Sequence, residues 1–130
     1  MKRYLPIIFL IFLFSLSACE PIFNCIIGVK PILHSKTLDN GFIAEYYTEV
    51  ITAKIKNKIN DDDFSYSFDV SGLPVGLKSS SEGHRKLILK GVPRESGEFI
   101  IEVFVNVRSV NGEDKLCRNR ASKSYTLTIK

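Results

Sequence analysis

From Phe99 to Val107 the chain alternates without a break, with Phe99, Ile101, Val103, Val105 and Val107 on one side and Ile100, Glu102, Phe104 and Asn106 on the other. A sustained period of two is the pattern of a half-buried strand, because successive side chains of an extended chain point to opposite faces. Shorter stretches repeat it. Tyr47, Glu49, Ile51, Ala53 and Ile55 alternate with Thr48, Thr52, Lys54 and Lys56, and Phe64, Tyr66, Phe68 and Val70 alternate with Ser65, Ser67 and Asp69. Arg85 to Lys90 carries Leu87 and Leu89 on one face, and Tyr125, Leu127 and Ile129 alternate with Thr126, Thr128 and Lys130. Ile26-Ile27-Gly28-Val29 and Ile32-Leu33 are short apolar pieces split by Gly28 and Pro31, which suits an edge strand. Turn signals separate these runs at Asp39-Asn40-Gly41, Ser71 to Leu77, Gly91-Val92-Pro93, Ser96-Gly97 and Asn111-Gly112. No convincing helical period follows Cys19. Short strands at regular spacing predict a β-sandwich. Its core is expected to hold Ile51, Phe64, Phe68, Phe99, Ile101, Val103, Val105, Tyr125, Leu127 and Ile129.

The first residues obey another logic. Lys2 and Arg3 precede an almost wholly apolar run from Leu5 to Leu16. That is the order of a secretory signal peptide, and the run is too short for a comfortable membrane span. It closes on Leu16-Ser17-Ala18-Cys19, which resembles the lipobox of bacterial lipoproteins. The resemblance implies a diacylglycerol on the Cys19 thiol, cleavage before Cys19 and, commonly, acylation of the new amine. The alternative is an uncleaved N-terminal membrane helix with a chance cysteine. On the lipoprotein reading, residues 1–18 are signal peptide, 19–25 are the lipidated cysteine and its tether, and 26–130 are one domain. In two-membrane bacteria an aspartate after the cysteine resembles an inner-membrane retention signal. Glu20 departs from it, which favours the periplasmic face of the outer membrane.

The remainder is enough for one small domain with one core. The whole chain is formally +4, and losing Lys2 and Arg3 leaves about +2. That is too mild to argue for nucleic acid. With Cys19 consumed by lipid, Cys25 and Cys117 remain in an oxidising compartment, where two thiols normally pair. Two buried free thiols are the alternative.

Ser71-Gly72-Leu73-Pro74-Val75-Gly76-Leu77 begins a second resemblance. It is similar to the immunoglobulin-like domain of bacterial surface proteins, close to the cadherin-like sandwiches. That family carries a GLP-x-GL turn, an x-G-x-P element and a glycine that opens a long strand through an aromatic residue. Here these are Gly72 to Leu77, Leu89 to Pro93, and Gly97-Glu98-Phe99, with Ser124 to Ile129 similar to the last strand. The likeness spans roughly Leu38 to Lys130. Val92 stands where the family usually has Thr, the stretch between Leu77 and Leu87 is longer and more polar, and an insertion containing Cys117 follows Val107. The fold implied is all-β, a single immunoglobulin-like (cadherin-like) β-sandwich after the lipoprotein signal peptide. The function implied is structural or adhesive, without catalysis or cofactor. In cadherin-like sandwiches the first strand often pairs parallel with the last. That would set Cys25, before the first strand, and Cys117, before the last, at one end with Cα atoms about 5–6 Å apart.

Candidate sites are few. Asn60-Asp61-Asp62-Asp63 offers oxygens for Ca²⁺. With no neighbouring domain to complete the shell, a solvated turn is the simpler expectation. His34 and His84 are too isolated for a zinc site or a catalytic diad, and His84 is expected at the surface. Ser79-Ser80-Ser81 has no nucleophile context, and Glu45 and Glu49 have no visible partners. Arg108, Lys115, Arg118, Arg120 and Lys123 form the one charge cluster of note. It is either a solvated hairpin or a contact for anionic lipid or polysaccharide. The expected partners are the bilayer, through the Cys19 acyl chains, and an envelope protein. Peptidoglycan or surface polysaccharide is the alternative, and exposed aromatic rings would favour it.

Overall fold

The structure, a computed structural model, describes residues 25–112 and 116–130. The signal stretch, Cys19 with most of its tether, and Lys115 lie outside the described residues. Seven strands follow in order: β1 (Pro31–Leu33), β2 (Tyr47–Ile55), β3 (Phe64–Ser71), β4 (Leu77–Glu82), β5 (Lys86–Gly91), β6 (Gly97–Ser109) and β7 (Arg120–Ile129). They form two sheets, ordered β1-β2-β5-β4 and β3-β6-β7. First, second, fifth and fourth strands against third, sixth and seventh is the layout of a constant-type immunoglobulin sandwich.

The alternation sets the sheet faces. On β6, Val103 lies opposite Val70 of β3 and Lys123 of β7, and Val105 lies opposite Phe68 and Ala121. Ile101, Val103, Val105 and Val107 are buried from this sheet, and Ile51, Leu87 and Leu89 from the other. Phe64, Tyr125, Leu127 and Ile129 complete the expected core, while Phe68 and Phe99 pack against it half-buried.

Three expectations about the elements need correction. The polar stretch after Leu77 is strand β4, paired with β5 from Leu77 opposite Gly91 to Glu82 opposite Lys86. Only Leu77 is buried along it, so main-chain pairing at a sheet edge makes this strand and no apolar period announces it. The polar, basic stretch before Ser124 is likewise partly strand, since β7 already starts at Arg120. The third correction concerns the first strand. It is only Pro31–Leu33, antiparallel to β2, and Ile26 to Val29 lie outside it. The parallel contact with the last strand is made further on, at Gly41 opposite Ile129. The Gly41 N–H donates to the Thr128 carbonyl at 2.9 Å, and the Lys130 N–H donates to the Gly41 carbonyl at 2.9 Å. Pro31 has no N–H for a ladder, and the chain changes sheets between His34 and Gly41.

That crossing is held from both layers. The His34 N–H donates to Thr52 at 2.9 Å, and the Tyr125 hydroxyl donates to the His34 carbonyl at 2.7 Å. Burial pushes the Tyr125 phenol up to about 12. Leu38 is buried beneath the crossing. Glu49, which alternation places on the inner face of β2, meets the Lys36 ammonium and accepts from the Asp39 N–H at 3.3 Å. Tyr47 donates to the Asp39 carbonyl at 3.1 Å.

The GLP-x-GL turn depends on its glycines. Gly76 has φ 98° and Gly91 φ 144°, in a region where a Cβ is poorly tolerated. The two approach each other where the start of β4 pairs with the end of β5. A Cβ on Gly91 would lie 2.1 Å from the Gly76 carbonyl oxygen, and one on Gly76 would lie 2.0 Å from that of Val92.

Candidate functional site

The sandwich has two unlike ends. At one, the N-terminal segment, the β2–β3 loop, the β4–β5 turn and the β6–β7 loop meet. Cys25 and Cys117 are bonded there with Cα atoms 4.7 Å apart, as the shared-end reading expects. The Cys117 N–H donates to the Val29 carbonyl at 3.0 Å, and the Lys56 N–H to that of Lys30 at 2.9 Å. The Asn57 side-chain amide donates to the Ile27 carbonyl. Cys25, the first described residue, therefore sits at the end that carries the β6–β7 loop. Ile26, Ile59 and Val110 stand exposed at this end.

The acidic run divides. Asp62 and Asp63 are exposed, as a solvated turn requires, but Asp61 is 3% exposed. One of its oxygens faces the Arg85 guanidinium as an ion pair without an aligned hydrogen bond, and the other accepts from the Tyr66 hydroxyl. Arg85 also reaches Asp62 at 3.1 Å. His84 is at the surface as expected, yet its Nε2 lies 3.0 Å from the Asp61 carbonyl and its ring meets Tyr66 edge-on with centroids 5.2 Å apart. Burial, then the neighbouring carboxylate, pushes the Tyr66 phenol well above its usual range. Donor atoms of Asp61, Asp62 and His84 lie within 4.8 Å of one another. The Arg85 guanidinium already pairs with both carboxylates, and among the described residues the cluster brings together three candidate ligands, against the six to eight oxygens of a calcium shell. The cluster is a clasp that joins the β2–β3 loop to the β4–β5 turn. Sequence reasoning missed it because its partners are far apart in the chain. The one available signal was a charged pair, Asp61 and Arg85, flanking two predicted strands.

The basic cluster also divides. Arg118, Arg120 and Lys123 line one groove of about 750 Å³ where β1 passes β6 and β7, and Lys30 joins them. Arg108 sits on β6 opposite Ser65 and does not line it, and Lys115 falls outside the described residues. Phe104, 44% exposed, stands in the groove wall. It is an outward ring of the β6 alternation.

At the opposite end, three loops are bonded together. The Ala44 N–H donates to the Pro93 carbonyl at 3.1 Å, and the Arg94 N–H to that of Val75 at 2.9 Å. Around these bonds Phe42, Ile43, Tyr46, Val75 and Val92 are all exposed. Tyr46, at 67%, is the most open of them; it lies just before β2 and not on a strand face.

No protein-family model matches the chain, and no curated protein matches it in sequence. Solved structures do resemble it in shape. A Bacteroides fragilis protein assigned as an alpha-galactosidase/melibiase superposes at TM-score 0.53 with 17% identity, over 77% of this chain and 17% of its own. The sialic acid binding region of a Streptococcus sanguinis adhesin gives 0.51 and 10%, over 79% of this chain and 30% of its own. Titin M4 gives 0.50 and 7%, over 77% and 95%. The chain thus spans about a sixth of the first protein and nearly the whole of the titin domain. At such identities the likeness speaks for the fold alone: this is an immunoglobulin-like β-sandwich.

Proposed function

We propose that the chain is a lipid-anchored protein of the bacterial envelope whose sandwich is a non-catalytic interaction module. The observation that carries this reading is the opposition of the two ends. The Cys25–Cys117 bond ties the tether to one end, and the exposed apolar group of Phe42, Ile43, Tyr46, Val75 and Val92 occupies the other. The nine residues of β2 alone separate the ends by about 30 Å. On a Cys19 anchor the five residues from Glu20 to Asn24 reach about 20 Å when extended. The disulfide end, with Ile26, Ile59, Val110, Arg108 and Arg118, then faces the headgroups. Apolar tips with cations suit that layer, each basic group contributing about 1 kcal/mol near an anionic surface. The far end is presented to a protein, since several exposed apolar side chains on loops bonded to one another suit a contact site. The outer membrane, periplasmic side, is the expected location.

A photo-crosslinking residue at Tyr46 in cells, with the same residue at Lys54 as a control, tests this together with fatty-acid labelling. Discrete protein adducts from position 46 alone, and label lost in Cys19→Ala, are expected. Equal label in both chains would sink the anchor, and identical adducts at both positions would sink the docking end. A second reading, contact with carbohydrate, draws on the groove beside β7. It is independent of the far end.

A further inference from the structure

We infer that the groove between β1 and the β6–β7 ribbon is a binding site for an anionic polysaccharide, one bearing carboxylates or sulfates. This deepens the carbohydrate reading above and rests on it. Lys30, Arg118, Arg120 and Lys123 line the groove, against the single carboxylate of Asp69. Among the described residues none of the four cations is paired with a carboxylate. They come from three places in the chain, the lead into β1, the β6–β7 loop and β7 itself, so the fold gathers them.

Lys123 is notable among them. In the β7 alternation it shares the side of Tyr125 and Leu127, where an apolar residue is expected. It survives there, half-buried, because the sandwich opens between β1 and β7 and the groove keeps its ammonium wet. Asn106 adds a second oddity. Its side-chain oxygen is inaccessible and accepts no hydrogen bond. A buried acceptor left unpaired is costly, so the amide gains by turning towards a ligand hydroxyl. Phe104, an exposed ring on the outward side of β6, also lines the groove. Cations for acid groups, an amide for hydroxyls and a ring for a sugar face are the parts that a charged glycan requires.

The direction of the groove argues against a bilayer as its occupant. It extends to Asp69, five residues beyond Phe64 on β3, or about 17 Å from the disulfide end. A headgroup layer is only about 5–8 Å thick. A surface touching that end leaves Phe104 and Asp69 above it, whereas an extended chain can lie along the whole groove.

The test uses the full acylated chain in neutral detergent micelles, with polygalacturonate as the probe and dextran and inorganic polyphosphate beside it. Polygalacturonate is expected to bind, at least tenfold more weakly in 0.5 M than in 0.05 M salt, as screening of exposed charges requires. Arg120→Glu should weaken it at least tenfold at unchanged melting temperature, and Lys123→Gln, which keeps a stem in the half-buried position, should weaken it severalfold. Phe104→Ala should weaken polygalacturonate about fivefold and leave any polyphosphate binding unchanged. Binding of dextran with equal strength would overturn the anionic assignment and keep the carbohydrate reading. Absence of binding to either glycan would remove both. Insensitivity to Phe104→Ala would reduce the groove to a charge sink, and displacement by glycerol phosphate as readily as by oligogalacturonate would assign it to lipid headgroups.

Discussion

Glu49 shows how one side chain serves two elements. It lies on the inner face of β2 with 8% of its surface exposed. Burial, the largest influence on it, would raise its pKa, but the Lys36 side chain, the Asp39 N–H and the Lys36 charge together outweigh burial and lower it. A carboxylate depressed in the fold adds stability that is complete above its unfolded pKa and is lost as pH falls through the folded value. Glu49→Gln should therefore be less stable than the natural chain at pH 7. The gap should narrow below about pH 4.5, as thermal melts at both pH values would read. A gap that widens in acid would show that the Lys36 contact does not hold the carboxylate. Asp61 and Arg85 make the parallel case at the disulfide end. Arg85→Ala strands a buried carboxylate and should cost about 1–3 kcal/mol, discounted because Arg85 is itself partly exposed. Asp62→Ala, on an exposed partner, should cost under about 1 kcal/mol. Urea titrations of the two variants should show this order.

At the scale of elements, the turn into β4 is the most constrained. Gly76→Ala meets both a positive φ and the Val92 carbonyl, so it should lose more than about 2 kcal/mol. Gly83 also has a positive φ, 65°, but a Cβ there meets nothing within 4 Å, so Gly83→Ala should cost only about 1 kcal/mol. Similar losses would show that backbone conformation alone, and not close approach, selects glycine at position 76. Legibility varied among the elements for the same kind of reason. β2, β3, β6 and β7 bury one face each, so their side chains carry the period. β4 is an edge strand with one buried residue, and its Ser79-Ser80-Ser81 run gives no alternation to read. The first strand was misplaced because Ile26 to Val29 are as apolar as a strand, and only Pro31 and the pairing with β2 define where pairing starts.

For the whole molecule, the Cys25–Cys117 bond spans 92 residues and links the entry of the chain to the loop before its last strand. Closing so long a loop restrains the unfolded chain by about 4 kcal/mol in entropic terms. Cys117→Ser should lower stability by up to that amount while keeping the sandwich, whose core lies elsewhere. Non-reducing mass spectrometry together with a melt of the variant checks both halves. A free thiol at Cys117 in the non-reduced protein would also release Cys25 from the β6–β7 loop.

The amino-acid order by itself determined the all-β class and most strand faces, because a buried face imposes a local period of two. It left Cys25 and Cys117 either paired or free, and the structure shows them bonded. Only the tertiary structure decided how the chain changes sheets between His34 and Gly41, why Asp61 is buried, and which basic residues share a groove. Arg108, on β6, is left outside the groove, whereas Lys30 and Lys123 are distant in the chain and both line it. Such groupings are set by strand register and by the gap between two layers, and neither leaves a periodic trace in the residues that it brings together.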